Sequence, residues 1–584
     1  MKNLNFKPFI FVIIAAVLFS GCAGLNKMKK NADRIQFNVT PEILETNAGD
    51  VDVAINGKFP AKYFVKKATL TATPVLKYEG GETEFEPVNL QGEKVQGNNK
   101  VISYSAGGSF SYKDAVNYVE AMRLSELYMN MTASKGTKSV DFTPVKIADG
   151  VIATSTMVAN TPKAILGVRR EVNNTGKYDP NIDPFQRIVP DEVLADIHYI
   201  INRSNLREEE ITAEDIRNLL EYTQKADTEK NIDLKNVEIS AYASPDGPID
   251  FNTDLAGDRK NTSSDFLAGK LRELGIDINP RTKYTPEDWQ GFKDLVEESN
   301  IQDKELILRV LSMYTDPVVR EREIRNLSET FTVLADKILP ELRRAKLLTS
   351  VELIGKSDNE LMSLAKSDPA SLNPAELLYA ANLFEDMNDQ LSVYRSFMKV
   401  YPDDWRGPNN AGYILVKQSK YNEAKPLFEK AERLKNDEGI IKNNLGAIAI
   451  YEDNISQAET LLGAASGAGD EVDYNQGVVS LKKADYQQAI RYFSDFEDPN
   501  TALAKLLTGN NSGALRDLEA YDRPNCARKE YLKAVIGART AKENLLFDSL
   551  KKACSINPEL KAKARTDIEF AEYFDNPRFK NITD

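Results

Sequence analysis

Three glycines in the C-terminal third set the tightest constraint on this chain. Gly412 and Gly446 lie 34 residues apart, and Gly446 and Gly477 lie 31 apart. Twelve residues after each comes an alanine: Ala424, Ala458 and Ala489. Sixteen residues after each comes a large apolar side chain: Phe428, Leu462 and Phe493. Nineteen after the first two come Ala431 and Ala465. A small–small–large set recurring at such a period describes stacked helical hairpins. The small residues let paired antiparallel helices approach, and the large one fills the seam between them. Ala534, Leu550, Ala553 and Pro558 fit a further unit, Tyr394 and Pro402 a degenerate earlier one, and Asn500 to Leu518 a shortened one. About six units spanning 370–558 are expected, with Leu560 to Phe574 as a capping helix.

The pattern resembles the tetratricopeptide repeat, which implies an all-α solenoid over 365–584. Such arrays present a concave face built from the first helix of each unit. Here that face would carry Arg406, Asn409, Tyr413, Lys417, Asn443, Tyr451, Tyr474 and Lys482. Tyr and Arg are strong interface anchors, and Asn can bond a peptide backbone. The plain alternative is that these are ordinary exposed residues. Cys526 and Cys554 fall at the start and end of one antiparallel helix pair. They are therefore expected close together, as two packed thiols or as a disulfide.

The opposite terminus carries an address. A basic start, an apolar run from Pro8 to Phe19 and small residues before Cys22 describe a secretion signal over 1–21. The run is shorter than the roughly 20 residues a membrane span needs. Leu18-Phe19-Ser20-Gly21-Cys22 resembles a bacterial lipobox, which implies that Cys22 becomes a lipidated first residue and that 22–32 is a tether. Proteins of that kind displayed outside the cell often carry an acidic cluster after the cysteine. Ala23 to Lys30 has none, so the implied address is the periplasmic face of an outer membrane.

Between tether and repeats lie two further regions. Residues 33–165 read as short strands with glycine turns, a β-sandwich pattern. Val51, Val53 and Ile55 alternate, a strand from Thr69 to Lys77 meets Gly80-Gly81, and Asp149-Gly150 reads as a hairpin turn between Val145–Ile147 and Val151–Ala153. Residues 180–350 alternate strand and helix. Ile197 to Asn202 and Val237 to Ala243 read as strands, Thr212 reads as the cap of a helix carrying Ile216, Leu219 and Leu220, and another helix starts near Asn252.

The stretch Ala241-Tyr242-Ala243-Ser244-Pro245-Asp246-Gly247, followed by Asn252, Leu255 and Arg259, resembles the OmpA-like domain. The resemblance implies an α+β fold and a site in which a turn aspartate and a helix arginine grip a diaminopimelate side chain of peptidoglycan. Arg259 falls on the family's arginine, but Ser244 stands where the aspartate belongs, with Asp246 two residues on. Arg259 is thus either a ligand cation or a residue of a solvated helix face. The family's closing motif has an echo in Leu342-Arg343-Arg344-Ala345, reached through a helical insertion from about Pro286 to Pro340. The combination resembles Bacteroidetes outer-membrane lipoproteins with an OmpA-like domain and tetratricopeptide repeats.

Composition narrows the function. Of 584 residues, 88 are acidic against 75 basic, giving −13, which argues against nucleic acid or anionic lipid as a general partner. A single histidine, His198, and three cysteines leave no recognisable metal site, cofactor site or catalytic triad. The leading expectation is a periplasm-facing, lipid-anchored scaffold for envelope proteins, in an assembly or secretion complex. A peptidoglycan anchor is the alternative, and an enzyme the third.

Overall fold

The computed structural model describes residues 23–167, 185–301, 303–326 and 328–584. Cys22 and the signal lie outside the described residues. The chain divides into two compact units. One holds the described residues up to Gly167 together with Gln390–Asp584, and the other runs from Phe185 to Asp389.

The first unit begins with a helix over residues 23–30, whose Leu25 and Met28 are buried in the core of a sheet-rich domain. Eleven strands follow. Asp50–Phe59 pairs with Gln36–Thr40 on one side and Gly108–Asn117 on the other. Thr69–Tyr78, Ser125–Lys135 and Val145–Ile152 pair side by side as the centre of a second group. Ile43–Asn47 joins the groups, antiparallel to Asp50–Phe59 and parallel to Val145–Ile152. Alternate side chains of Asp50–Phe59 and Ser125–Lys135 are buried, the period-2 signature of strands with one face on a core.

Asp149-Gly150 is not a hairpin turn. Val145–Ile152 is one strand, and Gly150 still pairs with Ser125. A Cβ on Gly150 would stand 2.8 Å from that of Leu44. The glycine answers a close strand approach rather than a change of direction. Beyond Ile152 the chain leaves the sheets. Residues 153–167 run along the repeat helices, so the sheet domain ends before 165.

The repeats are antiparallel helix pairs. Arg406–Lys417 pairs with Tyr421–Leu434, Gly439–Tyr451 with Ile455–Gly463, Asp470–Lys482 with Tyr486–Tyr492, Pro499–Leu507 with Asn511–Ala520, and Ala527–Arg539 with Glu543–Ile556. The marker glycines meet the residue sixteen positions on in all three units. A Cβ on Gly412 would stand 2.6 Å from the Phe428 ring, on Gly446 2.9 Å from Leu462, and on Gly477 2.4 Å from the Phe493 ring. Phe493 is 1% exposed and hemmed in. Gly477→Ala should therefore destabilise this unit by about 2 kcal/mol through overpacking, measured as a fall in the urea midpoint. The expected capping helix, Leu560 to Phe574, is broken into Glu559–Arg565 and a 3-10 turn Ile568–Tyr573, and a further helix, Pro577–Thr583, follows. Asp567 causes the break. Its carboxylate accepts from the Glu569 N–H and the Tyr531 hydroxyl, starting a new turn. Cys526 precedes one helix and Cys554 lies near the end of its antiparallel partner, and both are free thiols.

The second unit centres on a four-stranded sheet in the order Ile188–His198, Arg344–Ile354, Ile232–Tyr242, Arg281–Thr285. The last pair is parallel and the others antiparallel. Helices Glu214–Thr228 and Ile249–Glu273 pack on it, burying Ile216, Leu219, Leu267 and Leu271. The first strand ends at His198, so Tyr199 to Asn202 is a loop. Thr212 does not cap the following helix, because its hydroxyl donates to the Glu208 carbonyl in the turn before. The insertion forms four short helices, Trp289–Glu298, Lys304–Met313, Pro317–Arg325 and Ser328–Lys337, with a core of their own.

Candidate functional site

The groove of the repeat array holds a stretch of the same chain. After the 3-10 turn Thr154–Met157 the backbone extends through residues 158–167 across the first helices of four successive repeats. In an extended chain the N–H and C=O of one residue point to the same side, and every second residue repeats that direction. An asparagine carboxamide supplies one acceptor and two donors, so one side chain can serve both groups of a residue.

The array uses this chemistry at each step. Asn410 accepts from the Gly167 N–H at 2.7 Å. Asn444 accepts from the Ile165 N–H at 2.6 Å and donates to the Ile165 carbonyl at 2.8 Å, which Asn409 also reaches at 3.3 Å. Asn475 accepts from the Lys163 N–H at 2.8 Å and donates to the Lys163 carbonyl at 2.7 Å, which Asn443 joins at 3.0 Å. Asn500 brackets Ala159 in the same way, at 3.0 and 3.4 Å. The carboxamides also bond one another, Asn444 to Asn409 at 2.8 Å and Asn475 to Asn443 at 2.9 Å. All six are at most 1% exposed. The register advances two chain residues per repeat from Gly167 to Lys163, with the segment antiparallel to the array. The step to Asn500 takes four residues, from Lys163 to Ala159.

Side chains add specificity. Ile165 is 2% exposed, packed with Ala465 and Val472. The Lys163 ammonium lies 3.9 Å from the Tyr474 ring centroid and 4.1 Å from that of Phe496, an aromatic cage for a cation. Burial pushes the lysine's pKa down, and Asp498 opposes this.

Of the residues expected on the concave face, Asn409, Asn443 and Tyr474 touch the segment, and the Tyr451 carbonyl accepts from Asn160 at 3.1 Å. Arg406 is turned onto Asp404, and Lys482 onto Asp453 at 2.7 Å. Lys417 lies over the Tyr413 ring at 6.0 Å. The sequence reading missed Asn410, Asn444 and Asn475, although each stands two residues before a marker glycine. Asn500 has no such marker.

A second set of expected residues meets in the other unit, where a hollow of about 270 Å³ is lined by Ser244, Asp246, Asn252, Arg259 and Arg343. Asn252 donates to the Ser244 and Gly247 carbonyls at 3.2 and 3.0 Å, fixing the turn. Arg259 is 1% exposed, so its helix face is not solvated there. Its guanidinium donates to the carbonyls of Arg203 at 3.0 Å, Tyr242 at 2.9 Å and Ile200 at 3.4 Å. Burial, with Arg343 nearby, pulls its pKa down to about 10. Asp246 takes the Ser244 hydroxyl and an ion pair with Arg343 at 3.5 Å. The turn carboxylate thus already faces a cation of its own chain, and the helix arginine is committed to backbone.

Among the described residues no group of His, Cys, Asp and Glu is arranged to hold a metal ion, and no helix is long and apolar enough to cross a membrane. No family model and no curated protein matches the sequence. Solved structures do match. A tetratricopeptide repeat protein from Parabacteroides merdae is 14% identical, with a TM-score of 0.28, over 45% of this chain and 98% of its own. The Cut9–Hcn1 assembly of the APC/C is 12% identical, with a TM-score of 0.32, over 58% and 67%. PilF of Pseudomonas aeruginosa is 18% identical, with a TM-score of 0.26, over 37% and 98%. The repeat assignment itself rests on the helix pairs and the glycine contacts.

Proposed function

We propose that this protein is a non-catalytic scaffold of the bacterial envelope, lipid-anchored through Cys22 on the periplasmic face of the outer membrane, where it binds other envelope proteins. The observation that carries the reading is the filled groove. The repeat array has the chemistry to hold an extended peptide, and it uses that chemistry to fasten its own sheet domain. Further bonds support the same junction: the Ser155 hydroxyl donates to the Thr46 carbonyl, and Glu569 takes both the Thr154 hydroxyl and Arg539. A clamp of this kind makes a platform. Its clients meet outer surfaces of the array or the sheet domain, or compete for the groove.

A peptidoglycan anchor is the weaker reading. A zwitterionic ligand end needs a free carboxylate and a free guanidinium, whereas Asp246 is paired with Arg343 and Arg259 is bonded to three carbonyls. Crosslinking on intact cells followed by purification from washed membranes tests the scaffold reading. Defined envelope proteins should co-purify with the wild type, and Cys22→Ser should move the protein to the soluble fraction when membranes are washed in 0.5 M salt. Recovery of peptidoglycan fragments without protein partners would replace the scaffold with the anchor.

A further inference from the structure

We infer that the end of the sheet domain where the chain enters is a docking face for an anionic phospholipid surface. The helix over residues 23–30 is fastened to the domain with no spacer. Leu25 and Met28 are at most 1% exposed, the Tyr63 hydroxyl donates to the Met28 carbonyl at 2.8 Å, and Gly24 lies against Val65. The turn carrying Tyr63 and Val65 continues into a neighbouring loop, where the Lys94 N–H donates to the Lys66 carbonyl at 2.7 Å. Three segments, 23–34, 60–67 and 92–95, therefore form one surface.

That surface is basic in an acidic protein. Lys66 is paired with Glu93 at 3.0 Å, and Arg34 stands beside Asp33. Lys27, Lys29, Lys30, Lys62, Lys67 and Lys94 are all exposed, and none has an ion-pair partner among the described residues. The net charge of −13 argued against anionic lipid for the chain as a whole. The distribution of that charge reverses the conclusion locally, because the force on a surface lysine is set by charges within about 10 Å. Six ammonium groups without an ion-pair partner among the described residues, spread over three adjoining segments, fit a sheet of phosphate headgroups better than a single small anion. The occupant is thus a membrane surface containing anionic phospholipid.

The inference builds on the envelope reading but is testable apart from it. The test uses the chain from residue 22 onward with Cys22→Ser, made without lipid, so that no acyl chain contributes. Vesicles of phosphatidylcholine with about one third phosphatidylglycerol are the probe, and pure phosphatidylcholine vesicles the control. Co-sedimentation with the anionic vesicles alone is expected at low salt, with loss in 0.5 M salt by screening. Each lysine removed from the face should weaken binding about fivefold, so Lys27→Gln, Lys29→Gln and Lys67→Gln together should weaken it about a hundredfold. Lys425→Gln, Lys551→Gln and Lys552→Gln, made together in the repeat array, should leave it unchanged. Equal binding to both vesicle types, indifference to the patch triple, or competition by millimolar inorganic phosphate would each overturn the docking face. Any of those results leaves the lipid-anchored scaffold standing, because the mass of the Cys22 peptide from membranes decides lipidation separately.

Discussion

Asn444→Ala should release the segment from the groove and cost the first unit about 3 kcal/mol. The side chain donates to the Ile165 carbonyl and to Asn409 and accepts from the Ile165 N–H and from Asn443. Each hydrogen bond contributes about 1 kcal/mol net, but a buried group left without its partner costs about 1–3 kcal/mol. Truncation leaves several such groups behind, and water enters the groove only if the segment lifts. The ladder fails as a unit, since Asn409 and Asn443 orient through Asn444. The two tryptophans lie in different units, so each unit has its own probe. In a Trp289→Phe background the remaining Trp405 lies beside Gly167 and reports the segment directly. The expected result is a lower urea midpoint for Trp405 fluorescence together with new proteolytic cleavage within 153–167. An unchanged midpoint and an uncut segment would show that the carboxamides do not hold it.

The repeat architecture was legible because its constraint is steric and local. Gly412, Gly446 and Gly477 each make room for a residue sixteen positions on, and a period of that kind survives in one dimension. The groove residues were half legible for the opposite reason. Asn409 and Asn443 were expected to meet a foreign peptide, whereas the occupant comes from residues 158–167, some 240 to 340 positions away in the chain. Nothing in that stretch has a period or a motif. Its extended form is imposed by the helices that hold it. The sequence also misled at Gly150, where a glycine demanded by the Leu44 side chain looks the same as one demanded by a turn. A sum of charge over the chain conceals three adjoining segments whose six exposed lysines have no ion-pair partner among the described residues.

Arg259 shows how the same residue can change role without changing place. Aligned on a family motif it is a ligand cation, and on a helix it is a candidate for solvent. Buried against the Tyr199 ring at 5.1 Å and bonded to the carbonyls of Ile200, Arg203 and Tyr242, it ties the loop after the first strand to the end of the third. Removing it leaves three carbonyls without their donor. Arg259→Ala should therefore destabilise the second unit by about 4 kcal/mol, near the upper end for a single substitution. Lysine cannot restore it, because one ammonium cannot reach three divergent acceptors in place of a planar fork. Asp246→Ala should cost less, about 2 kcal/mol, since the Arg343 pair is long and the guanidinium left behind borders the hollow. Urea unfolding read from Trp289 fluorescence in a Trp405→Phe background separates the two substitutions. A ligand-gripping arginine predicts the reverse order: little loss of stability at Arg259 and loss of sedimentation with cell-wall sacculi at both positions. A stable Arg259→Ala protein that no longer sediments with sacculi would return the site to peptidoglycan.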